Sequence, residues 1–527
     1  MENLKDKNGN IIKERGKEVF YISLIVVFSI VIWGITMPNN FSSIANGLFD
    51  YLTGNFAWLY LITMSLFVIF CIWVALSKHG KIKLGKPDEE PEFSTISWFA
   101  MLFSAGMGVG LVFWGMAEPL NHFVNPLNIE GGTAAAADFA LKTSFFHWGL
   151  HPWASYGVLA LALAYMQFRH DKPAQISSIF IPLIGEARAR GGIGKVIDIL
   201  AIFATVAGVA TSLGLATLQV TSGFSFLFGI PETNLVRILV IGVITLLFMI
   251  SAITGVDKGI KYLSNVNISL AGIIMLICLI VGPTVLIINN LTNSFGMYMS
   301  NLVRDSFKIG QEPWYGWWTI FYWAWWIAWA PFVATFIARI SRGRTIREFV
   351  GGVLFAPTLA SFVWFSILGT MGIESGMEVA EEAIATTETA FFVVMQNFPY
   401  GGLISIVAVI LLVTFFITSA DSATFVLGML SDKGNKNPTV QRKVTWGFIQ
   451  SGLAIALMLS GGLGMLQTGS IVAAFPFVII MLFAMLAMIK SLKAEHKVEG
   501  VADLNKVADT SLEDLSEADK LDEAVNE

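Results

Sequence analysis

The run ISWFAMLFSAGMGVGLVFWGMA (residues 96–117) is apolar and long enough to cross a bilayer, yet it carries Gly106, Gly108 and Gly110 at its centre. A hydrocarbon core of ~30 Å needs about 20 residues of helix. Each glycine costs up to ~1 kcal/mol relative to alanine inside a helix. Gly106 and Gly110 share a face and suit close helix packing, but Gly108 points the other way. The three together predict a stretch that unwinds, with freed carbonyls and amides facing a cavity. A second interruption is expected five spans later, at Trp329-Ala330-Pro331-Phe332, where Pro331 removes a backbone donor and crowds the carbonyl four residues back. Interruptions at spans 3 and 8 occupy equivalent places in two five-span units. An odd number of spans per unit forces opposite topology, the signature of an inverted-repeat transporter with its site at the midplane.

The rest of the chain supports a membrane setting. Of 527 residues, 55% are hydrophobic and 13% charged, with 41 Phe and 16 Trp, against roughly 25% charged in soluble domains. Runs of spanning length fall near 19–38, 56–77, 96–117, 144–167, 199–225, 238–256, 262–288, 314–338, 349–373, 402–431, 445–462 and 469–489. The first follows a mostly polar segment with no small-residue cleavage site, so it reads as a permanent span. With the N-terminus cytoplasmic, only Lys142, Arg237, Arg304 and Lys308 of the 33 Lys and Arg fall outside cytoplasmic segments and their flanks. That bias supports twelve spans with both termini inside. The formal charge of −5 argues against a nucleic-acid binder. Cys71 and Cys278 lie in apolar runs and offer no disulfide framework.

Span 8 reads WYGWWTIFYWAWWIAWAPFVATFIA (residues 314–338). At about 100° per residue, Trp318, Tyr322, Trp325, Trp326, Trp329 and Phe332 share one arc. An interfacial belt occupies one depth. This stripe climbs about 21 Å and crosses the core; Trp317, Trp318 and Trp323 are assigned to a belt or to lipid. Span 4 adds Trp148, Trp153 and Tyr156, which converge if Pro152 distorts the helix between them. Aromatic faces with no buried carboxylate beside them suit a quaternary ammonium group. His147 and His151 stand one turn apart, a zinc spacing, but with no third ligand in view. In span 10 the adjacent hydroxyls of Thr418 and Ser419, with carbonyls freed in span 3, suit a hard cation; such pairs also serve as interhelical hydrogen bonders. Asp421, an intramembrane carboxylate, is a functional candidate or a packing hydrogen bond.

These residues together resemble the betaine/carnitine/choline transporter family from about residue 15 to 490, and the segment Trp318–Trp329 looks like its signature. The resemblance implies a leucine-transporter-type 5+5 inverted repeat preceded by two extra helices, assembled as a homotrimer. It places Trp148, Trp153, Tyr156, Trp325, Trp326 and Trp329 around a trimethylammonium group, with Trp326 central. The backbone of Met107, Gly108 and Gly110 would meet the substrate carboxylate. A coupling sodium ion would lie among Ser104, Met107, Phe415, Thr418 and Ser419. A second would lie near Thr205 and Phe332, although Val209 stands where a hydroxyl is usual. Choline carriers of the family often have aspartate at the Gly110 position, so glycine here favours a zwitterion such as glycine betaine.

The expected organisation is a cytoplasmic tail (1–18), two accessory spans with a loop (19–93), a first repeat (94–292), an amphipathic interfacial helix (293–313), a second repeat (314–490) and an acidic cytoplasmic tail (491–527). The stripe Phe295, Met299, Leu302, Val303 and Phe307 defines that interfacial helix. No catalytic His/Cys/Asp spacing stands out, and neither an enzyme nor an organic cofactor is expected. The function expected is sodium-coupled uptake of glycine betaine for osmoprotection in a prokaryotic cell membrane. The rivals are a sodium-independent exchanger of carnitine, choline or butyrobetaine, a choline carrier, and a channel; the aromatic stripe argues against a continuous polar pore.

Overall fold

A computed structural model describes the backbone of residues 16–106, 108–254, 257–310 and 312–525, and their side chains apart from residues 16, 103–106, 257–261 and 496–525. The described residues form helices joined by short connections, with one isolated antiparallel bridge, Lys83 to Thr345. We label the principal helices α1 (Gly16–Thr36), α2 (Pro38–Leu76), α3 (Thr95–Gly106), α4 (Val109–Val124), α5 (Ala134–Trp148), α6 (Leu150–Ala164), α7 (Gly192–Phe228), α8 (Asn234–Thr254), α9 (Asp257–Val281), α10 (Thr284–Phe307), α11 (Phe321–Ile340), α12 (Ile346–Glu374), α13 (Gly401–Leu430) and α14 (Val440–Val525). Nine helices among the described residues are long and apolar enough to cross a membrane. The spans expected at 96–117 and 144–167 appear instead as the pairs α3/α4 and α5/α6. Those expected at 445–462 and 469–489 form one element kinked at Gly461 and Gly462, whose φ values of 155° and 59° are open to glycine.

The glycine-rich break in span 3 is present. Helix α3 stops at Gly106 and α4 restarts after Gly108, which is extended at φ −131°, ψ −154°. Span 4 is broken as well, but by Gly149 (φ −89°, ψ −133°) and not by Pro152. Pro152 lies in the first turn of α6, where a missing N–H has no intrahelical partner to lose.

The interruption expected at Pro331 is absent: α11 runs unbroken from Phe321 to Ile340 with Pro331 inside it. Most of the helix is buried on every side; the Thr335 hydroxyl donates to the Pro331 carbonyl at 2.7 Å and does not replace the donor that the Ile327 carbonyl loses. Neighbouring helices sustain a proline helix that would break in water. The irregularity of span 8 lies earlier, in a π turn over Gly316–Ile320.

The interfacial segment is part of the longer α10. Phe295, Met299, Val303 and Phe307 face outward, while Ser294, Tyr298 and Ser306 are buried. The apolar stripe therefore contacts surroundings other than this chain's core. The core is centred on α11, which packs on α6, α7 and α14, and Trp114, Trp323, Trp325, Trp364 and Tyr322 are fully buried.

Candidate functional site

Five of the six expected cage residues form a continuous cluster of rings. Trp325 and Trp326 stack at 5.0 Å and 18°. Trp148 meets Trp326 edge-on at 4.8 Å and Trp325 at 6.2 Å. Tyr156 meets Trp326 edge-on at 6.2 Å, and Trp153 meets Tyr156 at 5.6 Å. The break at Gly149 brings these rings together, by placing Trp148 and Trp153 on separate helices. Gly110 lies against the cluster: a Cβ there would fall 2.4 Å from Cη2 of Trp325 and 3.3 Å from Cη2 of Trp148. Trp329 stands apart, its Nε1–H donating to the Gly208 carbonyl at 2.8 Å and its ring against Phe332 at 5.4 Å.

Polar atoms in the cluster fall into two sets. Trp326 Nε1–H donates to the His147 carbonyl at 3.1 Å. The Tyr156 hydroxyl and Trp325 Nε1 are buried without a hydrogen-bond partner. A buried donor left unpaired is costly, so this pair is a ready receptor for an acceptor group.

Two expectations for the aromatic residues need correction. Trp323 is fully buried, stacked on His151 at 4.9 Å, and Trp318 packs on His122 at 4.4 Å. Neither is a lipid-facing belt residue; Trp317, against Phe49 at 4.5 Å, is part-exposed. Nor is the cluster free of carboxylates. Glu118 is completely buried and accepts from Trp148 Nε1–H at 2.8 Å and the Tyr322 hydroxyl at 2.5 Å, through Oε2. Its Oε1 is 2.7 Å from His147 Nδ1 and 3.5 Å from His122 Nε2. The sequence carried this signal in Ala117-Glu118-Pro119, but ending span 3 at Ala117 left the carboxylate outside it; α4 continues to Val124. His147 Nε2 lies 2.9 Å from Thr319 Oγ1, while His151 Nε2 bonds Ser306 Oγ at 3.0 Å, so the two histidines serve different partners.

On α13, Thr418 accepts from Asn267 Nδ2 of α9 at 3.0 Å and reaches the Thr414 and Phe415 carbonyls at 3.1 Å. Asn267, absent from the expected set, is buried and its Oδ1 has no partner. Ser419 faces the break in span 3, its Oγ 3.6 Å from a Cβ built on Gly108. The Ser104 side chain and all of Met107 lie outside the described residues. Thr205 donates to Ala201 within α7 at 2.8 Å, one turn before the Gly208 carbonyl that holds Trp329. A cavity of about 400 Å³ is lined by Phe332, Thr335, Asp421 and Ser422, and by Arg339, Arg342, Lys436 and Lys443. It meets α11 at the end opposite Glu118.

Nine long apolar helices among the described residues make the chain a multi-pass membrane protein. It belongs to the betaine/carnitine/choline family of transporters, matching that family over residues 18–497. It is 49% identical to the glycine betaine transporter OpuD of Bacillus subtilis (strain 168), over 91% of this chain and 95% of that protein. It is 44% identical to a probable glycine betaine transporter of Desulfitobacterium hafniense (strain Y51), over 92% and 99% of the two chains. It is 42% identical to an ectoine/hydroxyectoine transporter of Virgibacillus pantothenticus, over 91% and 97%.

Proposed function

We propose that the chain takes up glycine betaine by sodium symport with alternating access, bound in the cluster of Trp148, Tyr156, Trp325 and Trp326. One observation carries the reading. Electron-rich ring faces and two unpartnered buried donors, Tyr156 Oη–H and Trp325 Nε1–H, occur in the same cluster. The faces suit a trimethylammonium group, which has no hydrogen bonds to offer. The donors suit the carboxylate that a zwitterion brings. Choline has no carboxylate, and at Gly110 an aspartate counter-charge would have to displace the Trp325 ring. The names of two relatives above support betaine; that of the third keeps an ectoine-type zwitterion as the second substrate to test.

The coupling ion is placed among Ser104, Met107, Phe415, Thr418 and Ser419, bridging α13 to the break between α3 and α4. Thr205 and Phe332 mark a second ion position. The architecture proposed is two accessory helices followed by inverted five-helix repeats over 94–292 and 314–490, in a homotrimer with both termini cytoplasmic. In that frame the basic cavity below Phe332 faces the cytoplasm and Glu118 closes the outer end of the cage. The test is uptake of labelled glycine betaine into proteoliposomes, with and without an inward sodium gradient. Concentrative uptake only with the gradient is expected, with ectoine competing more weakly and choline least. Equal counterflow in sodium-free buffer would replace symport by exchange.

A further inference from the structure

The carboxylate that holds Trp148 and Tyr322 is part of a set with its own chemistry. Ligand atoms of Glu118, His122 and His147 all lie within 4.8 Å of one another, and all three side chains are buried. We propose that these residues form a zinc-class transition-metal site, and that an ion bound there arrests transport by fixing the outer end of the cage.

His122 provides the first argument. It is completely buried, and neither ring nitrogen has a hydrogen-bond partner; its Nε2 stops 3.5 Å short of Glu118 Oε1. Protein interiors seldom leave an imidazole in that state. Two histidines and one carboxylate are a zinc ligand set that leaves a fourth position for water. Imidazoles select such ions over magnesium or calcium, which take oxygen ligands.

The surroundings of the ligands provide the second argument. The far nitrogen of His147 is held by Thr319 at 2.9 Å, and the far oxygen of Glu118 by Trp148 at 2.8 Å and Tyr322 at 2.5 Å. Contacts of this kind orient metal ligands and strengthen binding. A cavity also comes to within one layer of side chains of the ligands. It measures about 60 Å³ and is lined by Phe139, Lys142, Trp314 and Thr319. Phe139 and Trp314 touch the His122 ring at 5.8 and 5.3 Å, and Thr319 holds His147.

The consequence follows from which elements the ion would join. Glu118 and His122 belong to α4, and His147 is the penultimate residue of α5. Through Tyr322 and Thr319, the same groups reach α11 and the π turn before it. An ion pulling on Glu118 and both histidines would hold α4 and α5 together, with Trp148 and Tyr322 tied to the same carboxylate.

The test uses the purified full chain in lipid nanodiscs, titrated with zinc chloride by calorimetry, with magnesium as control. Wild type should bind one zinc tightly and no magnesium at that site. His122→Phe keeps the ring volume among Trp314, Trp318 and Phe139, and His122→Asn keeps polarity; both should lose at least about a hundredfold in zinc affinity. Cobalt in place of zinc should give an absorption spectrum of imidazole–carboxylate ligation in wild type alone. Equal zinc affinity in wild type and both variants would place the ion elsewhere and overturn the site. So would the absence of tight binding to wild type. The arrest is read separately, and this arm alone rests on the proposed uptake activity. Zinc should inhibit betaine uptake in wild type and spare His122→Phe, and occupied sites with undiminished uptake would refute it.

Discussion

Trp326 is fixed by its indole N–H on the His147 carbonyl and by its stack on Trp325. Its remaining face and edge belong to the cluster with Trp148 and Tyr156. A desolvated cation–π contact is worth ~2 kcal/mol or more, so Trp326→Ala should raise the KM for betaine at least about tenfold. The check is saturation of uptake at matched membrane expression; an unchanged KM would move the cage elsewhere. At this scale the sequence was legible where a residue type carries chemistry by itself. Tryptophans crossing the core at helical spacing read correctly as an interior stripe. Trp323 and Trp318 did not, because π-turn geometry before Phe321 and the burial of His122 and His151 are tertiary facts. Asn267 was equally invisible: its role as a donor to Thr418 arises only when α9 packs on α13.

Two helix breaks, at Gly108 and Gly149, position the candidate site, and only the first was legible as a break. Three closely spaced glycines have no good helical explanation, whereas one glycine near a proline drew attention to Pro152. The structure puts the proline in the harmless first turn of α6 and the break at Gly149, whose added Cβ would lie 2.5 Å from the Phe145 carbonyl and 2.9 Å from the Tyr298 hydroxyl. Pro331 misled in the opposite sense, since burial of α11 on every side outweighs the lost backbone bond. The prediction for this element is that Gly149→Ala forces the junction of α5 and α6 to open. Overpacking of this kind costs about 1–3 kcal/mol, so the melting temperature in detergent should fall. Betaine KM should rise with it, because Trp148 and Trp153 lie on opposite sides of the junction. A variant with wild-type melting and KM would show that the break is not what aligns the rings.

Transport coupled to an ion requires that ion and substrate favour the same arrangement of the whole molecule. Ser419 on α13 faces Gly108 at the break in span 3, and Gly110, two residues further on, lies against Trp325 and Trp148 of the cage. A sodium ion between Ser419 and that break would therefore set the backbone segment that also meets the rings. Sodium binding and betaine binding should then strengthen one another by the same factor. The two hydroxyls separate the coupling from plain stability. Ser419→Ala removes an oxygen facing the break, so higher sodium should restore uptake by mass action. Thr418→Ala removes an oxygen and also strands the Asn267 amide that donates to it, so it should lower thermal stability as well. The double variant should leave too few oxygens for a hard cation and lose most sodium dependence along with betaine affinity. Uptake measured against sodium concentration for wild type, both single variants and the double variant decides the matter. Graded shifts of the sodium curve, with betaine KM moving in parallel, are expected. Superimposed curves for all four would remove sodium from α13, and an unchanged wild-type rate without sodium would make the chain an exchanger.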